Sequence, residues 1–342
     1  MESFKFLFFF YKLIIFGLST IFIFNIAQAQ DTTIIGNTKI TYIRWVSQFP
    51  PLPQNKNKVL SITNSIAKFF FGKHTPVLSK PVSVLANNLD TLWILDQGNG
   101  TILQIYNKLS ETPQFLDKKN NNFKSLIGFC FMPNNEMLFT DSRLNKVFII
   151  SADKKDMRVL NDSLLLQQPT GIAYSSVNNE IWIVETSAHR ISVLNKKGEL
   201  IKRIGGRGSD PGEFNFPTFI WSDRLGAIYV VDAMNFRVQI FDKNGELLSV
   251  FGEIGDATGY FARPKGIATD SYGNIYIADA LFHVVQIFDK SGNFLYKFGT
   301  QGRDKGQFWM PTGIYIDDKD YIYVADSYNS RIQVFQLING GL

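Results

Sequence analysis

Six acidic residues, Asp96, Asp141, Glu185, Asp232, Asp279 and Asp326, recur at spacings of 45, 44, 47, 47 and 47. Arg190, Arg237 and Arg331 follow three of them five positions later. Carboxylates and guanidiniums in a ring could hold a polar ligand, but such regular recurrence argues for a part needed once per unit. A carboxylate ending one strand can accept loop amides and pair with an arginine on the next strand, so all nine positions read as structural. The three histidines are the next candidates. His189 and His283 occupy matching places in the repeat, and His74 precedes its first copy. Three imidazoles on one face would suit zinc, yet loop tips on alternate units lie far apart for one ion. Exposed loop histidines are therefore expected, and no metal. No carboxylate pair suited to calcium, serine–histidine–acid pattern, phosphate loop or cysteine–histidine pair stands out, so neither catalytic residues nor a cofactor are expected. The better candidates lie where the copies disagree. Long glycine-rich stretches at 205–214, 252–261 and 299–308, with the acidic loops beside them, gather Arg207, Phe236, Tyr260, Arg263, His283, Arg303, Lys305, Trp309 and Tyr328 on one face. Arginines mixed with aromatics are typical of recognition surfaces.

Those loops need a frame, and the repeat supplies it. Between 264 and 310 the chain reads strand, turn, strand, loop, strand, turn, strand, with Gly273, Asn274, Gly292 and Asn293 at the turns. A four-strand unit recurring at this period is the signature of a β-propeller blade. First strands start at Pro81, Leu126, Pro169, Pro217, Pro264 and Pro311, which predicts an all-β, six-bladed β-propeller of four-stranded antiparallel blades. Gly171, Ala173, Gly266, Ala268 and Gly313 suit the crowded axis, whereas Phe241, Phe251, Phe288, Phe298 and Phe335 should pack between blades. The last blade runs out of chain after its third strand. Residues 39–45 have the length and alternation to supply the fourth beside 331–335, so an N-terminal strand should close the ring and leave no open edge. Residues 47–80 then cross to the first blade, with 64–71 read as two helical turns and a strand at 68–72 as the rival.

The first 29 residues lie outside this frame. Lys5 and Lys12, an apolar run over 13–26 and the small residues Ala27 and Ala29 form the layout of a secretory signal peptide cut after Ala29. A retained anchor is the alternative. The organisation expected is thus 1–29 signal, 30–80 closing strand and crossing, and 81–342 propeller, in a protein secreted or placed in the periplasm or extracellular space. Loss of Glu2, Lys5 and Lys12 lowers the formal net charge from +5 to +4, too little to imply nucleic acid or membrane binding by itself. Cys130 is the only cysteine; no intrachain disulfide is possible, and it reads as a small buried hydrophobe.

The repeats resemble the NHL family of six-bladed propeller units through 311–314 (PTGI), 322–326 (IYVAD) and 329–335 (NSRIQVF). The match is strong in blades 4 to 6, fair in blade 3 and weak in blades 1 and 2, where Thr101 and Lys146 replace the arginine. The resemblance implies the propeller fold, and platforms for protein, RNA or glycan as well as enzymes, so it does not choose an activity. Related amidating lyases bind zinc through histidines placed just after the first-strand proline. The matching residues here are Val82, Ile127, Thr170, Thr218, Lys265 and Thr312, with no histidine among them. The expectation is a monomeric, non-enzymatic scaffold that recognises a protein, peptide or glycan through its loop face. A metal-dependent lyase or hydrolase is the alternative, and an RNA-binding propeller the second.

Overall fold

The computed structural model describes residues 32–35, 41–49, 78–87, 91–106, 114–115 and 123–339. The signal-like segment, the helix or strand expected within 64–72, and His74 lie outside the described residues. Six antiparallel sheets surround one axis. Each first strand touches those of both neighbours, and the first strand of blade 6, Pro311–Ile316, touches that of blade 1, Pro81–Asn87. Blade 5 shows the plan: Pro264–Thr269, Ile275–Asp279, Val284–Phe288 and Phe294–Phe298, each paired with the next. Its second strand (IYIAD) is buried throughout because neighbouring blades cover both faces. Its outer strand alternates, with Leu295 and Lys297 exposed.

The ring closes through the N-terminal strand. Thr41–Phe49 lies antiparallel to Arg331–Asn339, with Trp45 opposite Phe335 and Phe49 opposite Ile332. The seam is longer than 39–45 against 331–335, because the third strand runs on to Asn339 and a bulge between Trp45 and Ser47 preserves the pairing. Thr32–Ile35 then adds a fifth strand that the repeat did not announce. Ile43 is 2% exposed and joins Phe298, Phe308, Phe335 and Leu337 in one cluster between blades 5 and 6. The same device recurs one interface back, where Phe251, Phe261 and Phe288 pack together. Burying each such side chain contributes about 1.5–3 kcal/mol.

At the axis the blades meet backbone to backbone. A Cβ on Gly313 would lie 2.4 Å from the Val82 carbonyl oxygen, and one on Gly266 2.4 Å from that of Thr312. Two cavities lie along the axis, about 180 and 290 Å³ in volume, and Phe219 lines both. The smaller is lined by aromatic residues, including Phe129, Phe131, Tyr174, Trp221 and Tyr315, and by half-buried Cys130, whose thiol pKa burial pushes up.

Candidate functional site

The six recurring acidic side chains are all fully buried. Asp326 accepts from the Trp309 amide (2.7 Å), Asn329 Nδ2 (2.8 Å), Arg331 Nε (2.7 Å) and Gln333 Nε2 (3.2 Å). Arg331 directs its other donors to the carbonyls of Arg303, Asp304 and Gln307 and to Gln48 Oε1. Asp232 and Arg237 do the same for the carbonyls of Ser209, Asp210 and Glu213. In blade 3 burial would raise the Glu185 pKa, but hydrogen bonds from Arg190, Ser192 and the Gln167 amide outweigh it and lower it. Asp279 has Val284 where the arginine belongs and is held by the amides of Ala262, Arg263, Leu281 and Phe282. Its pKa is raised by burial, those amides pulling against the shift. Each long connection is also clamped to a buried glutamine of the following blade: Gln239, Gln286 and Gln333 accept from the amides of Gly212, Gly259 and Gly306. These connections are braced at both ends.

His189 and His283, the two described histidines, belong to the same bracing rather than to exposed loop tips. The residue before each third strand is left-handed: Gly100, Asn145, His189, Phe236, His283 and Ser330 have φ between 52° and 62°. Three of them then accept from the next blade. Asn145 Oδ1, His189 Nδ1 and His283 Nδ1 receive the amides of Gln168 (2.8 Å), Phe216 (3.2 Å) and Met310 (3.1 Å), which are left-handed too. His189 is 7% exposed. His283 is half-buried, and burial lowers its pKa against the opposing pull of Asp326 and Asp279. Acceptance at Nδ1 requires the neutral ring. Among the described residues no three histidine, cysteine or acidic side chains come together as a metal-binding group.

The 290 Å³ cavity is the mouth of the axis on the loop face. All six residues that follow the first-strand start, Val82, Ile127, Thr170, Thr218, Lys265 and Thr312, line it. Around them stand residues of the incoming connections, including Lys80, Ser125, Gln168 and Arg263, and of the acidic loops, including Gln97, Ser142 and Tyr328, with Phe219 at the inner end. Thr170 and Thr312 use their hydroxyls on neighbouring carbonyls and on Thr186 and Ser327. Among the described residues the charges on the wall are Lys80, Arg263 and Lys265, and no carboxylate shares it. None of the three forms an ion pair with a described residue. Burial lowers the Lys265 pKa from 10.5 to about 8, and Arg263 and Lys80 lower it further by repulsion. Lys80 also lies over the Tyr328 ring, 6.0 Å from its centre.

Of the nine residues expected on the loop face, the structure brings Arg263 and Tyr328 into this mouth. Arg303 stacks on Trp309 at 5.0 Å, and Lys305 sits over Trp45 of the closing strand at 4.6 Å. Arg207 is exposed in its own connection, bridged to Phe214, while Tyr260 belongs to the next connection. Phe236 and His283 are left-handed corners. Lys80 and Lys265 were missed. The available signal was a lysine in an axial ring that is otherwise valine, isoleucine and threonine.

Residues 308–335 match the family described as NHL repeat, and residues 159–235 the one described as 6-bladed beta-propeller. No curated protein matches the chain. Among solved structures, the catalytically inactive virginiamycin B lyase from Staphylococcus aureus with quinupristin is similar at 17% identity, with 90% of this chain and 96% of that one covered and a TM-score of 0.56. An auxiliary nutrient binding protein from Bacteroides ovatus is similar at 15% identity, covering 77% of this chain and 69% of that one, with a TM-score of 0.58. Another from Bacteroides thetaiotaomicron reaches a TM-score of 0.61 at 15% identity, with 76% and 70% covered. Identities this low speak for the fold alone. With one repeat and one longer stretch matched and six blades closed around an axis, this chain is a six-bladed β-propeller whose last blade matches an NHL repeat.

Proposed function

We propose that this chain is an exported, non-catalytic binding propeller that takes a protein, peptide or glycan on its loop face, with part of the ligand entering the axial mouth. One observation carries this reading. The positions that recur are spent on bracing, whereas the mouth is lined by the ring where the six copies differ, and its cations have no acidic partner among the described residues of the wall. A ligand site needs different groups at different blades, and a concave pocket with a few polar groups is its usual setting. The fold likeness to auxiliary nutrient binding proteins agrees with a binding role, and the likeness to a lyase shows that the same frame can carry chemistry. The test is to screen the purified protein against immobilised glycans and peptides, then repeat with Arg263→Glu combined with Arg303→Glu. Binding lost in the variant supports the loop face. Binding retained would move the site elsewhere, and turnover of a bound ligand would replace the scaffold reading with an enzymatic one.

A further inference from the structure

Resting on the loop-face reading, we propose that the mouth recognises a carboxylate, the acidic end of an organic ligand, with Lys265 as its central anchor and Arg263 and Lys80 beside it. Among the described residues, three cations converge on one cavity of about 290 Å³ and no acidic side chain shares its wall. A folded chain gains nothing by crowding like charges. Charges withdrawn from water are ordinarily paired, because the unpaired ion pays desolvation without return. The blade does not require Lys265, since five other blades fill the same axial position with valine, isoleucine or threonine. The cations come from blades 1 and 5, which flank blade 6, so Thr312 and Tyr328 stand between them, while blades 2 and 3 contribute neutral Ser125, Ser142, Gln168 and Thr170. A ligand entering here meets positive charge on one side and hydroxyls and amides on the other.

The rest of the wall selects the kind of anion. Val82, Ile127, Phe219, Ala280 and Met310 give the cavity apolar surface between its charges. A bare inorganic ion would leave that surface uncovered, whereas a carboxylate carried on a carbon body covers it and meets the lysine at once. Sugar acids and peptide C-termini share this chemistry and differ in the body behind the charge.

Saturation-transfer NMR with the full-length protein can separate them. The probes are glucuronate against glucose, an acetylated tripeptide with a free against an amidated C-terminus, and inorganic phosphate. The expected result is binding of at least one carboxylate probe, absence of its neutral counterpart, and affinity at least tenfold weaker in Lys265→Met. Arg263→Met, altered at the exposed rim, should weaken the same probe, and Lys297→Met on an exposed outer strand controls for net charge. Which carboxylate binds identifies the source. Carboxylate binding unchanged in both mouth variants would overturn the proposal, as would a preference for phosphate. Glucose or the amidated peptide binding indifferently to Lys265→Met, and lost in Arg263→Glu combined with Arg303→Glu, would leave the binding role standing and overturn the carboxylate assignment.

Discussion

Lys265→Met should make the fold more stable at neutral pH while removing the central charge of the mouth. Burial and the nearby Arg263 and Lys80 lower the Lys265 pKa from 10.5 to about 8. At about 1.4 kcal/mol per pKa unit, keeping the ammonium in place costs the folded chain at most roughly 3.5 kcal/mol. Solvent reaches part of the side chain, which brings the expected cost to about 1–2 kcal/mol. The folded-state pKa lies below the unfolded one, so between pH 8 and 10.5 the unfolded chain binds more protons. Wild-type stability therefore rises with pH across that window, and the penalty is fully present below pH 8. Methionine keeps an unbranched apolar stem in the same space and cannot titrate. The variant should begin about 1–2 kcal/mol above wild type at pH 7, and the two should converge near pH 10.5. Urea unfolding at both pH values, followed by tryptophan fluorescence, reads this directly. A variant less stable than wild type at pH 7, or a gap that does not close with pH, would refute the reasoning and mark Lys265 as an ordinary packing residue.

Asp326→Ala should destabilise by about 3–5 kcal/mol in urea unfolding, because it leaves the Arg331 guanidinium buried and uncompensated and frees the Trp309 amide. In wild type, the contribution of His283 is present above pH 6.5 and fades as pH falls through its lowered folded-state pKa, when protonation ejects the Met310 amide. His283→Asn should flatten that loss of about 1 kcal/mol between pH 7 and 5, since Asn145 makes the same bond in blade 2. Gly313→Ala should cost about 2 kcal/mol or more by urea unfolding, its methyl meeting the Val82 carbonyl at 2.4 Å. Val284→Arg should add about 1 kcal/mol, because the connection at 252–263 has the same length as its arginine-braced counterparts and Asp279 waits at the end of the strand. Equal or lower stability in thermal unfolding would show that blade 5 cannot seat the side chain.

How much of this was legible depended on whether a contact repeats along the chain. Asp232 with Arg237 and Asp326 with Arg331 lie five residues apart on adjacent strands, so their spacing exposed the pairing. The closing strand was legible for the converse reason: blade 6 lacked a fourth strand, and 39–45 carried the right alternation, while the observed strand spans 41–49. The histidines resisted because the partner of His283 Nδ1 is Met310, 27 residues onward in another blade, where no pattern within one repeat points. A hint did exist. Glycine, asparagine and histidine at positions 100, 145, 189 and 283 are residues that tolerate the left-handed region. The mouth was harder still, since Lys80 and Lys265 are 185 positions apart and meet only because the ring closes.

Blade 5 is where the repeat departs from its neighbours in the placement of its charges. In blades 4 and 6 the arginine five positions after the aspartate directs its donors inward, to carbonyls of its own connection, and no ligand could engage it. In blade 5 that position is Val284, and Asp279 is left to hold the amides of Ala262 and Arg263. The carboxylate therefore fixes the backbone of Arg263 while its side chain remains exposed at the rim, two residues before Lys265 enters the axial ring. Had the bracing arginine been kept and Lys265 been threonine, blade 5 would repeat its neighbours and the mouth would retain two cations of its three. One blade carries both departures, and the second has no structural return in the described residues. The carboxylate site we propose would supply that return.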